Sequence, residues 1–90
     1  MLFDWDKKKA ASNLAKHKVS FEEAATVFSD TLSDTFDDPD HSAEERRFLI
    51  IGHSDKSRLL FVSHTDDGEI VRIISAREPT RREQKSYEQG

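Results

Sequence analysis

The chain has 90 residues, which supports a single domain over residues 1–90 with a small core, roughly two thirds of the unfolded surface being buried on folding. Charged residues make up 36%, against a usual ~25%, the formal net charge is -4 and cysteine is absent, which excludes disulfides and thiolate metal sites and argues against a general polyanion binder. No apolar run approaches the ~18 residues of a membrane span, and the start Met1-Leu2-Phe3-Asp4-Trp5-Asp6 lacks the basic region of a signal peptide, so the expected location is the cytoplasm, with no membrane partner.

In chain order, residues 2–5 read as a short edge strand, and Asp6 is placed to cap a helix over residues 7–17. Ala10, Ala11, Leu14 and Ala15 supply its apolar stripe, while Lys9, Asn13 and Lys16, at i, i+4 and i+7, share a polar face that is either functional or merely exposed. Ser20-x-x-Glu23 has the form of a capping box, and Phe21, Ala24, Ala25 and Phe28 form the inner face of a second helix. Residues 31–36 alternate weakly as a strand, and Asp37-Asp38-Pro39-Asp40 has turn chemistry. Residues 46–51, 58–64 and 69–76 read as three further strands. The short polar connections between them favour antiparallel hairpins, because parallel strands need crossovers of a dozen residues or more. Thr80-x-x-Glu83 is a second capping box and opens a C-terminal helix.

The expected fold is therefore α+β: an antiparallel sheet of about four strands packed against two N-terminal helices and a C-terminal helix. Charge is unevenly spread over it. Residues 1–45 hold 5 Lys and Arg against 11 Asp and Glu, whereas residues 46–90 hold 9 against 7. The acidic stretch 29–45 suits either a basic protein partner or simple solvation, and the C-terminal half leaves room for a local basic surface.

That surface is most legible in Arg72-Ile73-Ile74-Ser75-Ala76-Arg77-Glu78-Pro79-Thr80-Arg81-Arg82-Glu83, which sets four arginines around a strand-to-helix junction. Guanidiniums beside helix-start amides form an anion site suited to phosphate. Regular alternation sends Arg72 and Arg77, five residues apart, to opposite faces, so the two share a site only if Arg77 has left the strand. The histidines lack the paired spacing of a zinc helix, and no metal grouping or cofactor motif emerges. His53 and His64 look undistinguished, one in a hairpin loop and one at a strand end.

Trp5-Asp6-x-x-Lys9, Asn13-x-x-Lys16-His17, Val19-Ser20-Phe21-Glu22-Glu23-Ala24, the stretch around His41-Ser42 and Glu45-Arg46, and Arg72-Ile73-Ile74-Ser75-Ala76-Arg77 resemble the BrnT toxins. These are small RelE-like ribonucleases of bacterial type II toxin–antitoxin pairs, and the resemblance runs in order over residues 5–87. Two positions depart from the pattern. Lys18 stands where a glycine usually follows Lys-His, and a non-glycine in a left-handed cap costs on the order of 1 kcal/mol. Pro79 replaces a lysine or alanine before the Thr80 cap and biases Glu78 toward extended backbone.

The resemblance implies a RelE-like fold and metal-independent RNA cleavage, in which a ribose 2′-hydroxyl attacks the adjacent phosphate. A cognate BrnA-like ribbon-helix-helix antitoxin would neutralise the chain, which would touch promoter DNA only through that complex. The reaction needs a base, an acid and cations on the phosphoryl oxygens. Arg72 and Arg77 are the expected phosphate clamps, with Arg46, Arg81, Lys16 and Thr80 as further substrate contacts. His17, His41 and Glu45 are the proton-transfer candidates, and Glu83 and Tyr87 are held in reserve. The alternative function is a non-catalytic module whose arginines hold a carboxylate or phosphate of a partner protein.

Overall fold

The computed structural model of the protein describes residues 1–39 and 45–89. Strand β1 (Leu2–Asp4) leads into helix α1 (Lys7–His17) and helix α2 (Phe21–Thr26), which continues as a 3-10 turn, Val27–Ser29. Four strands follow, β2 (Asp34–Asp37), β3 (Phe48–His53), β4 (Leu59–Asp66) and β5 (Ile70–Arg77), and helix α3 (Arg81–Gln89) ends the fold. The sheet runs β1-β5-β4-β3-β2. The expected antiparallel meander is present in β2 to β5. β1 completes a fifth position by pairing parallel to β5, Leu2 with Ile70 through Asp4 with Arg72, so the sheet is mixed. Among the described residues, no helix is long and apolar enough to cross a membrane.

The four strands of the meander start and end later than alternation suggested. Residues 46 and 47 precede β3, and Thr31 and Leu32 lie in a turn held by Asp30, whose carboxylate accepts the Leu32 N–H at 3.0 Å. One sheet face packs on α2 and the 3-10 turn around Val19, Phe21, Ala24, Val27, Ile50, Leu60, Val62, Ile73 and Ala76. His64 belongs to this core. It is 2% exposed, edge-on to Phe28 and stacked on Phe48, and burial pushes its pKa down, so it is a neutral core ring. Gly52 sits where β3 passes the 3-10 turn. A Cβ there would come within 2.8 Å of the Ser33 Cβ, so any side chain forces the layers apart.

α1 does not bury the alanine and leucine stripe expected of it. Ala11 and Ala15 are exposed and Leu14 is 50% exposed, whereas Ala10, Asn13 and His17 turn inward. The reason lies at the edge of β5 beyond the reach of β1. There Asn13 acts as a one-residue strand, its amide donating to the Ala76 carbonyl at 2.8 Å and to the Val19 carbonyl at 3.0 Å, while the Ala76 N–H donates to its Oδ1 at 3.1 Å. An open sheet edge needs a donor and an acceptor, and no apolar side chain supplies them.

The two capping boxes differ. At Thr80 the box is complete: the Glu83 N–H donates to Thr80 Oγ1 at 3.2 Å and the Thr80 N–H to Glu83 Oε1 at 2.9 Å. At Ser20 only half forms. The Glu23 N–H donates to Ser20 Oγ at 3.0 Å, but the Glu23 carboxylate, 4% exposed, turns to Arg58 (2.5 and 3.0 Å) and the Ser54 hydroxyl (2.6 Å). The Arg58 fork holds this carboxyl below its ordinary pKa against the desolvation that would raise it. Arg58 also donates to the Lys18 carbonyl at 3.0 Å, fixing that residue in the left-handed conformation (φ 61°, ψ 30°) that closes α1. The strain at Lys18 is thus held by a partly buried ion pair rather than relieved by glycine.

Asn13→Ala strands three backbone groups and should cost about 2–3 kcal/mol, lowering Tm by about 10 °C or more in thermal melts; an unchanged Tm would mean that water replaces the amide at no cost.

Candidate functional site

The second sheet face is covered only in part. α3 leans over it and leaves a cleft of about 900 Å³. Phe36, Leu49, Ile51, Phe61 and Ile74 supply its apolar surface; Asp34, Asp38 and Arg47 line it from the β2–β3 side, and Arg77, Arg82, Glu83 and Tyr87 from the α3 side. Phe36 is 44% exposed, an aromatic on an otherwise polar strand, and stands edge-on to Phe61 at 5.9 Å.

Arg77 reaches this face through a bulge. β4 pairs Ser63 with Ser75 but His64 with Ile73, so Ile74 is an extra residue in β5. One inserted residue reverses the alternation beyond it. Arg72, opposite Thr65, and Arg77, opposite Phe61, therefore lie on the same face although five residues apart, and Arg77 is still within the strand. The two partners are four residue steps apart along β4, a spacing of about 13 Å.

The two arginines have different surroundings. Arg77 donates twice to Glu83, at 2.7 and 3.0 Å, and once to the Glu78 carbonyl at 3.3 Å, and its guanidinium lies 4.9 Å from the centre of the Phe61 ring. The fork and the Thr80 N–H together lower the Glu83 pKa to about 2. Arg72 pairs with Asp4 of β1 at 2.5 Å, both side chains about half exposed, and does not line the cleft.

Of the other expected site residues, Thr80 caps α3 and Arg81 begins it, exposed, at the mouth of the junction. Arg46 faces Asp37 across the start of the hairpin, at 3.1 Å, with three quarters of its side chain exposed. Lys16 and His17 occupy the last turn of α1 and do not line the cleft. Glu45 is exposed, two residues before Arg47, and His41 lies outside the described residues.

Arg47 and Arg82 line the cleft without having been singled out from the sequence. Neither forms an ion pair among the described residues. Parity was the available signal for the first, since Arg47 shares its sheet face with Leu49 and Ile51. For the second it was helical spacing, since Arg82 and Ser86, like Glu83 and Tyr87, are four residues apart on one side of α3. The Tyr87 hydroxyl donates to the Leu32 carbonyl at 3.0 Å, tying α3 to the turn before β2. Desolvation, then the carboxylates of Asp30 and Asp34, keep it a neutral phenol. No group of three or more His, Asp or Glu is placed to hold a metal ion among the described residues.

Comparison with curated proteins gives no match. Among solved structures, the chain is similar to the ribonuclease toxin BrnT of Brucella abortus, with a TM-score of 0.66 and 22% identity over 90% of this chain and all of that one; this likeness is one of fold. The family model of the ribonuclease toxin BrnT, of type II toxin–antitoxin systems, matches residues 5–83, from the residue after the first strand to the one that locks Arg77. With a match over nearly its whole length, the chain belongs to the BrnT family of ribonuclease toxins.

Proposed function

We propose that the cleft beneath α3 binds one RNA strand and cuts it by attack of a ribose 2′-hydroxyl on the adjacent phosphate, without a metal ion, until a cognate BrnA-like antitoxin covers the toxin. One observation carries this reading: Arg77 is held rigid beside two arginines, Arg47 and Arg82, that lack ion-pair partners among the described residues, over a floor with exposed aromatic surface. Phosphate meets the cations and a base meets the rings, which is the division of labour that single-stranded RNA requires. Membership of a type II toxin family supports both RNA as the substrate and an antitoxin as the partner.

Roles follow from chemistry. Arg77 keeps two N–H directions after the three bonds it already makes, and these stabilise charge developing on the phosphoryl oxygens. Arg72, on the same face, holds a neighbouring phosphate, and Arg46 and Arg81 widen the positive rim. Glu83, with a pKa of about 2, is too weak a base to take a 2′ proton and instead positions Arg77. The expected proton acceptors remain His17, His41 and Glu45, of which His17, outside the cleft lining, could act only on RNA that reaches past the cleft.

Arg77→Ala should lower RNA cleavage in EDTA by at least tenfold, Arg77→Lys should rescue it poorly because the planar fork is lost, and Arg47→Ala and Arg82→Ala should raise KM more than they lower kcat. Parent-like cleavage by Arg77→Ala sinks the proposal, and RNA binding without any cleavage by the parent chain favours the non-catalytic module. Substituting His17, His41 and Glu45 one at a time identifies the base, since only its loss removes the acidic limb of the pH–rate profile.

The same lock gives a pH signature in stability. The folded-state pKa of Glu83 lies below its ordinary 4.5, so the stabilisation is complete above that value and is lost as pH falls toward about 2. With partial solvent screening this amounts to on the order of 1–2 kcal/mol. Melts of the parent and Glu83→Gln should differ near neutral pH and converge toward pH ~2; a constant difference would show that the carboxylate charge contributes nothing.

A further inference from the structure

All five cations of the first 45 residues lie between positions 7 and 18: Lys7, Lys8, Lys9, Lys16 and Lys18. All five are exposed, none forms an ion pair among the described residues, and α1 carries no acidic residue of its own. Three of them occupy the first turn, where the helix dipole is positive and repels them. α2 does the reverse, with Glu22 and Glu23 in its first turn, and α3 sets Glu83 beside Arg81 and Arg82, whereas the first turn of α1 holds lysines alone. Helix stability accounts for Lys16 and Lys18, at the end where the dipole favours cations and where Lys18 Nζ donates to the Ala15 carbonyl at 3.3 Å, but not for Lys7, Lys8 and Lys9.

Their position suggests what does. α1 runs beside β5, from Asp6, which feels the charge of Arg72, to Asn13 at Ala76, and it closes at Lys18, whose carbonyl Arg58 holds. The lysines thus flank the same strand that carries Arg72 and Arg77.

We infer that the exposed face of α1 is a second binding surface for the sugar–phosphate backbone of single-stranded RNA, engaging the part of the strand that extends beyond the cleft. The choice of ligand rests on the ribonuclease function proposed for the cleft; the surface itself rests on charge and placement. A backbone contact is independent of base sequence, so α1 supplies affinity for length, while the cleft supplies the cut.

The test compares the parent with Lys7→Gln/Lys8→Gln/Lys9→Gln, and with Lys56→Gln/Lys85→Gln as a charge control outside α1. Each protein is titrated at several salt concentrations with uncleavable 2′-O-methyl RNA of about 4 and about 16 nucleotides. For the longer RNA the α1 variant should bind about tenfold more weakly at low salt, with the slope of log K against log salt reduced by about 0.7 for each phosphate that is no longer neutralised. For the shorter RNA all three proteins should agree. The α1 variant should melt no lower than the parent, since glutamine removes charge that opposes the dipole. Equal slopes for variant and parent on the longer RNA, an equal loss on both lengths, or an equal loss in the charge control overturns the inference. Because binding is read on RNA that is never cut, the outcome is independent of whether the parent cleaves; cleavage of ordinary RNA by the parent tests the ribonuclease function separately.

Discussion

The paired hydrogen bonds between Arg77 and Glu83 hold together the parts of the molecule that matter most for its chemistry. Arg77 ends the last strand and Glu83 lies in the first turn of the last helix, so one ion pair fixes the angle at which α3 leaves the sheet and hence the width of the cleft. The same carboxylate completes the Thr80 cap, which makes helix formation and side-chain placement one event. α3 has no fully buried residue, and this pair, the Tyr87 hydroxyl and the edge-on contact of the Tyr87 ring with His53 attach it. A helix so lightly packed owes its position to polar geometry rather than to apolar area.

Polar groups also organise the other layer. The Glu23 carboxylate gathers Arg58 and Ser54 from the β3–β4 hairpin, while the Thr26 hydroxyl accepts the Asp55 N–H at 2.9 Å. α2 is thereby locked to a loop that its apolar face never reaches. Asn13 does the same between α1 and β5. In a core this small, directional bonds fix how helices register on the sheet, and apolar burial supplies the drive to fold.

Much of this was legible in the sequence, and the gaps have physical causes. The meander and the Thr80 box follow from alternation and capping, which are local rules. The fifth strand was read as a strand, but its parallel partner is 68 residues away and nothing local names it. The shared face of Arg72 and Arg77 was hidden by a bulge, because an extra residue in one strand is visible only against its partner. Asn13 was grouped with lysines on a polar stripe, since a buried amide serving a sheet edge looks the same in sequence as an exposed one. Glu23 fitted a capping box and in fact caps nothing with its side chain; a stronger donor, Arg58, competes for it. Arg47 was within reach of parity reasoning once the face of Leu49 and Ile51 was known.

The pairing of β1 with β5 bears on when the protein becomes active. The first strand leaves the ribosome long before its partner, and the residue that locks Arg77 follows later still. During synthesis the N-terminal helices emerge without the strand they must cover, and the arginines of β5 emerge without their cleft. The site therefore assembles only after Glu83 has emerged to meet Arg77. A sheet closed this way cannot be built piecemeal from its first strand, which finds its edge only when the meander before it in the sheet is already paired.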